Sequence, residues 1–332
     1  MSDLITAQFN KVLTQIQQAK QKAYQQINTA LIELYWNVGQ YISEQVKNNQ
    51  WGKGIVADLA DFIARQDTEI KGFSARNLWR MKQFYETYQE HQKLSTLWTQ
   101  LSWSHNRRIM SLKTSEEREF YLHLCSQKNY SVRELERLIN TSTFERTALA
   151  DQKLSTTVKT LPQAVTGVFK DSYVFEFLDL PTPHQEKDLQ QSLISSLKDF
   201  ILELGVGFSF VGQEYRLQVG NDDFFIDLLF FHRQLQCLVA FELKITKFKP
   251  EHIGQLEFYL EALDRDVKLP HENPSIGVLL CREKNDEVVE YALSRSLSPA
   301  VIAEYETKLI PKEVLRKKLN EFYEHLEAQG DE

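Results

Sequence analysis

The chain is 332 residues long, 42% apolar and 11% aromatic, which is material for about two packed cores. Twelve glycines and eight prolines exclude a collagenous or low-complexity protein, and no apolar run approaches the roughly 18 residues of a membrane span. The net charge of −7 is unevenly spread: residues 1–150 hold 19 Lys and Arg against 15 Asp and Glu (+4), and the remainder 20 against 31 (−11).

That asymmetry predicts two domains of different electrostatic character. A mildly basic first half permits a phosphate-binding face. The acidic half remains compatible with nucleic acid if some of its carboxylates hold a divalent metal. Met1 to Leu13 lacks the basic and apolar regions of a signal peptide. Cys125, Cys237 and Cys281 are far apart with no C-x-x-C spacing, so neither a disulfide framework nor a zinc knuckle is expected. The expectation is a cytoplasmic protein.

In chain order, residues 1–147 read as helices nearly throughout. Leu4, Phe9, Val12, Leu13 and Ile16 recur at helical spacing, and Ile27, Leu31, Leu34, Tyr35 and Val38 continue it. Trp51-Gly52-Lys53-Gly54 breaks the pattern, and a helix with Ile55, Leu59, Phe62 and Ile63 follows. Lys71-Gly72-Phe73-Ser74 predicts a turn with Ser74 as N-cap, before a helix with Leu78, Met81, Phe84 and Tyr85. Further helices are expected after Ser115 and Ser131. Short successive helices, one bearing Arg76, Arg80 and Lys82, suit a helix-turn-helix or winged-helix-like module. An ordinary helical bundle with solvated charges fits the pattern equally well.

Residues 148–182, polar and punctuated by Pro162 and Pro181, read as a linker. The rest, 183–332, begins with one amphipathic helix whose stripe is Leu189, Leu193, Leu197, Phe200 and Leu204. Strands are predicted over 208–217, 224–231 and 238–243, a helix from Pro250 through Leu263, and a strand over 275–281. A helix over 286–293, a strand over 300–303 and a last helix over 311–326 complete a mixed α/β domain with a central sheet.

Phosphate-binding glycine loops, G-x-S-x-G and H-E-x-x-H are absent. What stands out is Asp227, alone in the apolar run Phe224–Phe231, and Glu242 and Lys244 in the next one, Leu238–Lys244. Strand alternation puts Glu242 and Lys244 on one face. If the two runs pair as a hairpin through residues 232–236, two carboxylates and an ammonium converge. Such oxygen ligands suit Mg²⁺ or Mn²⁺ better than zinc. Phosphodiester hydrolysis needs that set, to activate water and neutralise the developing charge. Glu-x-Lys alone is weak: about one is expected by chance at this length, and Glu69/Lys71 and Glu306/Lys308 also occur. Only Glu242/Lys244 has an acid on a preceding strand; a structural ion pair is its plain alternative. On the following helix, Gln255 and Tyr259 share a face at i, i+4.

Asp227, Glu242-x-Lys244 and Gln255-x-x-x-Tyr259 together resemble the PD-(D/E)XK nuclease superfamily, including the Gln/Tyr helix motif of its RecB-type members. Phe225-Ile226-Asp227-Leu228-Leu229-Phe230, Phe241-Glu242-Leu243-Lys244, Lys247-Phe248-Lys249-Pro250-Glu251, Gly254-Gln255 and Ile276-Gly277-Val278-Leu279-Leu280-Cys281 are similar to the YhcG-type family. So are Trp51-Gly52, Gly72-Phe73-Ser74, Arg76-Asn77-Leu78, Leu101-Ser102-Trp103-Ser104-His105 and Ser131-Val132-Arg133 in the first half.

The resemblance implies a restriction-endonuclease-like C-terminal α/β domain with a central mixed sheet behind an all-helical, winged-helix-like DNA-binding domain. It implies a Mg²⁺ (or Mn²⁺) dependent DNA nuclease of bacterial defence, recombination and repair, or mobile-element processing. Asp227 and Glu242 would bind the metal, Lys244 would serve the attacking water, and Gln255 and Tyr259 would position metal, Lys244 or phosphate. A helix acid, Asp188 or Glu203, would join them. Arg76, Arg80, Arg107 and Arg108 would contact phosphate, and cutting both strands would call for a homodimer. The superfamily's Pro before the first Asp is replaced by Ile226. A non-catalytic nucleic-acid-binding or complex-assembly protein that keeps the fold is the rival expectation.

Overall fold

The computed structural model describes residues 3–127, 130–181, 183–294, 296 and 298–330, and the chain in it forms two compact units, residues 1–136 and 137–332. The first 161 residues contain no proline, so the helices there keep every backbone amide donor and are divided by other turn residues. The first unit is built from α1 (Asp3–Lys47), α2 (Lys53–Gln66), α3 (Ala75–Tyr88), α4 (Ser95–Trp98), α5 (Trp103–Ile109), α6 (Ser115–Gln127) and the start of α7 (Val132–Asn140). No strand occurs among its described residues, so the helical expectation holds and no wing is present there.

Ser74 caps α3 by accepting from the Asn77 amide, and Ser102 caps α5 by accepting from that of His105. Each satisfies a donor the helix leaves free. Trp36 of α1 stacks on Trp98 at 5.0 Å, and Phe84 of α3 meets Trp98 and Trp103 edge-on at 5.1 and 5.5 Å. The apolar repeat Phe9, Val12, Leu13 and Ile16 stays exposed, whereas Ile32 and Ile42, further along α1, are buried.

Close packing of α1 on α3 depends on Gly39. A β-carbon there would run into the backbone carbonyl of Met81. Gly39→Ala gains about 1 kcal/mol of helix propensity, but backbone cannot swing aside as a side chain can. Separating the helices would open the aromatic cluster, a cost of about 1–3 kcal/mol or more. The expected net result is a lower thermal midpoint, read by circular dichroism; a midpoint at or above wild type would contradict it.

The second unit contains α8 (Thr143–Lys153), α9 (Thr156–Lys159), β1 (Ser172–Val174), α10 (Glu186–Ser195), α11 (Leu197–Leu204), β2 (Phe208–Val219), β3 (Asp222–His232), β4 (Cys237–Lys247), α12 (Glu251–Ala262), β5 (Ile276–Glu283), α13 (Asp286–Leu293), β6 (Ala300–Glu306) and α14 (Lys312–Gly330). The strands form one mixed sheet in the order β1-β6-β5-β4-β3-β2. β2, β3 and β4 are an antiparallel meander, and β4, β5, β6 and β1 run parallel. Alternate residues supply the two faces. Leu228, Phe230, Phe241 and Val278 pack with Leu189, Leu193 and Phe200 of α10 and α11. Leu229, Ala240 and Leu279 pack with Ile253, Leu256 and Val289 of α12 and α13. Helices on both faces explain why the central runs of β3, β4 and β5 are mostly apolar on both sides, unlike β2.

Two expectations are corrected. Residues 148–182 are no linker: they include the end of α8, α9 and strand β1, and Phe169, Tyr173 and Phe175 are buried in the sheet's core. The helix expected from Leu189 to Leu204 is two, divided at Ser196, whose φ and ψ of −108° and 33° leave the helical region. Serine favours such a junction because its hydroxyl competes for backbone hydrogen bonds.

Candidate active site

The pairing of β3 with β4 runs from His232–Cys237 to Leu228–Phe241 and ends one step short of Asp227 and Glu242. The strands part there, and the Asp227 side chain fills the gap: its Oδ2 accepts from the Leu243 amide at 2.8 Å. Gln190 of α10 holds the other side, donating from Nε2 to the Asp227 carbonyl at 2.8 Å. Lys244 Nζ lies 2.9 Å from Glu242 Oε1 and 3.5 Å from Glu186 Oε2. Glu186 and Gln190 are i, i+4 on α10, so one helix face serves both strands.

Glu242 is only 2% exposed, and its second oxygen, Oε2, is buried without a hydrogen-bond partner. Burial, and next the charge of Asp227, push its carboxyl up to about 7 against the pull of Lys244. Burial likewise raises Asp227, opposed by the Leu243 amide and Lys244. Lys244 is drawn down by burial but ends above its ordinary value, because Glu242 bonds to it and attracts its charge.

A divalent cation fits this set. Two carboxylates with raised proton affinity lie within each other's field, one buried oxygen lacks a partner, and all the donors are oxygen, the preference of Mg²⁺ or Mn²⁺. The fit is to a pair: among the described residues no three His, Cys, Asp or Glu side chains are grouped to hold a metal. Glu186 is turned to Lys244.

On α12, Gln255 Nε2 donates to the Tyr259 hydroxyl at 2.8 Å. Burial raises the Tyr259 phenol, and Glu242 and Asp227 add to the rise, which places the ring within their field. The half-buried His252, one turn before Gln255, is lowered by burial and then by the charge of Lys244. Neither helix acid expected from the sequence reaches the site. Asp188 accepts from the Gln185 amide at 2.8 Å as part of a capping box. Glu203 is fully buried in an ion cluster with Arg146, Lys170 and Arg137. Glu186, Gln190 and His252 are the neighbours that sequence reasoning missed. A polar i, i+4 edge beside the Leu189 stripe was the available signal for the first two.

In the first unit, Arg76 and Arg80 lie one turn apart on α3, and Arg107 and Arg108 follow one another on α5. Arg108 is paired with Glu136 at 2.8 Å. Arg76, Arg80 and Arg107 have no ion pair or hydrogen bond to a described residue.

A helix pair, an antiparallel three-strand meander bearing Asp and Glu-x-Lys, a helix and a parallel strand define a protein of the PD-(D/E)XK nuclease class. Residues 166–320 match the YhcG PDDEXK nuclease domain, and residues 11–146 match the DUF1016 N-terminal domain. The protein named "Putative nuclease YhcG" of Escherichia coli (strain K12) is 33% identical over 333 residues, spanning 89% of this chain and 88% of that protein. The chain belongs to the YhcG family. Among solved structures, a repair endonuclease from Pyrococcus abyssi is 12% identical with a TM-score of 0.26, over 39% of this chain and 48% of its own. The EndoMS chain of an EndoMS-dsDNA2 complex is 17% identical with a TM-score of 0.22, over 32% of this chain and 38% of its own. Both likenesses span less than half of those chains.

Proposed function

We propose that the chain is a Mg²⁺- or Mn²⁺-dependent deoxyribonuclease that hydrolyses DNA phosphodiester bonds, working in bacterial defence, recombination and repair, or mobile-element processing. The observation that carries this is the meeting of Asp227, Glu242 and Lys244 where β3 and β4 part, with a buried Glu242 oxygen left without a partner. Asp227 and Glu242 would hold the metal, which supplies Lewis-acid charge and a more acidic water. Lys244, kept charged by Glu242 and Glu186, orients the attacking water and offsets charge on the non-bridging phosphate oxygens. Gln190 fixes Asp227 through its carbonyl, and Gln255 holds the Tyr259 hydroxyl at the edge of the site. The water gives up a proton to solvent as its oxygen bonds to phosphorus, the ester P–O bond breaks, and the leaving oxygen takes a proton from solvent.

The reading includes DNA contact by the arginines of the first unit, and a homodimer, since cutting both strands of a duplex takes two such sites. Plasmid and linear duplex DNA should be cut in Mg²⁺ or Mn²⁺ and remain intact in EDTA, and Asp227→Ala should cut neither. DNA binding without cleavage in any divalent metal would favour the non-catalytic alternative. Cleavage that persists in Asp227→Ala would remove the support for this site.

A further inference from the structure

Arg80 and Gln83 of α3, with Ser104 and Arg107 of α5, line a cavity of about 370 Å³ whose lining also includes Arg108 and Glu136. Its charge is unbalanced. The Glu136 carboxylate is occupied by Arg108, whereas Arg80 and Arg107 have no ionic or hydrogen-bonded partner among the described residues. The Arg107 Nε–H is sealed from solvent with no acceptor. Burial, and then the like charges of Arg107 and Arg76, lower the proton affinity of Arg80.

Each of these is a cost that no described residue offsets. A buried donor without an acceptor is penalised, and like charges crowded together repel. Both are relieved by one thing, an anion with several acceptor oxygens. Arginine forks match phosphate oxygens in pairs. A chloride or a single carboxylate would leave most of this volume empty, whereas a phosphate entering with its sugar is of the size such cavities hold.

We propose that this cavity seats one phosphate group of a nucleic-acid strand, with Arg80 and Arg107 gripping its non-bridging oxygens and Gln83 and Ser104 as additional donors. The inference deepens the nuclease reading and rests on it for the identity of the ligand. Two sources of phosphate share this chemistry, a monoester at a strand end and a diester within the strand.

The test measures binding by fluorescence anisotropy with the full chain in EDTA, so that cleavage plays no part. Three labelled duplexes are compared: 5′-phosphorylated, 5′-hydroxyl and covalently closed. Arg80→Gln and Arg107→Gln are each expected to weaken binding about tenfold or more and to reduce the salt dependence by about one counterion. Lys93→Gln, which removes the same charge from an exposed site away from the cavity, should change it less than about twofold. A preference for the 5′-phosphorylated duplex that disappears in Arg80→Gln assigns the cavity to strand ends. Equal loss on all three duplexes assigns it to internal phosphates. Inorganic phosphate should raise the thermal midpoint of the wild type and not of Arg80→Gln, a readout that also verifies folding. The cavity is not a phosphate site if both arginine variants bind every duplex as Lys93→Gln does, or if the wild type binds none. Weakened binding in the variants with no cleavage by the wild type in any metal would sink the nuclease reading and leave the phosphate site standing.

Discussion

Glu242→Gln is expected to slow metal-dependent DNA cleavage by about 10²–10³-fold or more, and at the same time to make the metal-free protein more stable at pH 8. The first effect follows from removing one of two anionic ligands while shape is nearly kept. The second follows from what Glu242 costs when no cation is bound. Its carboxyl is 2% exposed, close to the charge of Asp227, and has one oxygen with no partner. A carboxyl held at about 7 in place of its ordinary 4.5 costs roughly 3 kcal/mol once ionised. The sign is fixed by linkage. Below about pH 4.5 the folded and unfolded chains both carry the proton and there is no penalty. From there to about 7 the unfolded chain ionises first, so wild-type stability falls as pH rises, and above 7 the full penalty remains. Glutamine does not titrate and still offers Lys244 an acceptor, so the variant's profile over that window should be flatter. Thermal midpoints at pH 5, 7 and 8 in EDTA measure this. Adding Mg²⁺ should raise the wild-type midpoint, because a ligand of the folded state stabilises it, and should leave the variant almost unmoved. Wild-type cleavage by Glu242→Gln, or a lower midpoint than wild type at pH 8 in EDTA, would sink the assignment.

The three central residues were legible because the hairpin is local. Asp227 and Glu242 are brought together by a short turn, and strand alternation alone sets Glu242 and Lys244 on one side. Gln255 and Tyr259 were legible for the same reason, being one helical turn apart. Glu186 and Gln190 were not. They lie on a helix some 40 residues earlier, and their spacing looks like any solvated helix edge until α10 is seen to cross the mouth of β3 and β4.

Long-range placement also explains the errors elsewhere. β1 is three residues long, too short for a period-2 signal, and its partner β6 lies more than 120 residues further on. Val168-Phe169 and Tyr173-Val174-Phe175 are apolar runs too short to show a period, although they complete the sheet's core. On α1 the opposite happened. A helical apolar repeat is a statement about periodicity, and Phe9, Leu13 and Ile16 satisfy it while remaining exposed. Asp188 was eligible as a site acid by position alone, and what removed it was a bond to a neighbouring amide.

Glu203→Ala is expected to cost about 3–5 kcal/mol, the price of leaving buried cations without their counter-ion. Glu203 and Arg146 are both 0% exposed, and Lys170 lies against the same carboxylate at 3.2 Å. The Val174 amide donates to that same oxygen, Oε1, at 3.0 Å, and Arg137 reaches Oε2 at 3.2 Å. Within the second unit, one acid on α11 thus ties together Arg137, α8 and the edge strand β1. Burial by itself would raise the Glu203 carboxyl, but Arg146 and Lys170 hold it down at about 2. Stability from a lowered acid is complete above the ordinary value of 4.5 and is lost as pH falls toward about 2. Glu203→Gln should accordingly show its full deficit at pH 7 and a shrinking one below pH 4.5. Lys170 cannot make good the loss. Burial and the charge of Arg146 already lower it to about 7 despite Glu203, so without the acid it should shed its proton on folding. Denaturant unfolding at pH 7 and pH 3 distinguishes the cases. A difference between wild type and Glu203→Gln that is the same at both values would mean that packing, and not charge, keeps this acid in the core.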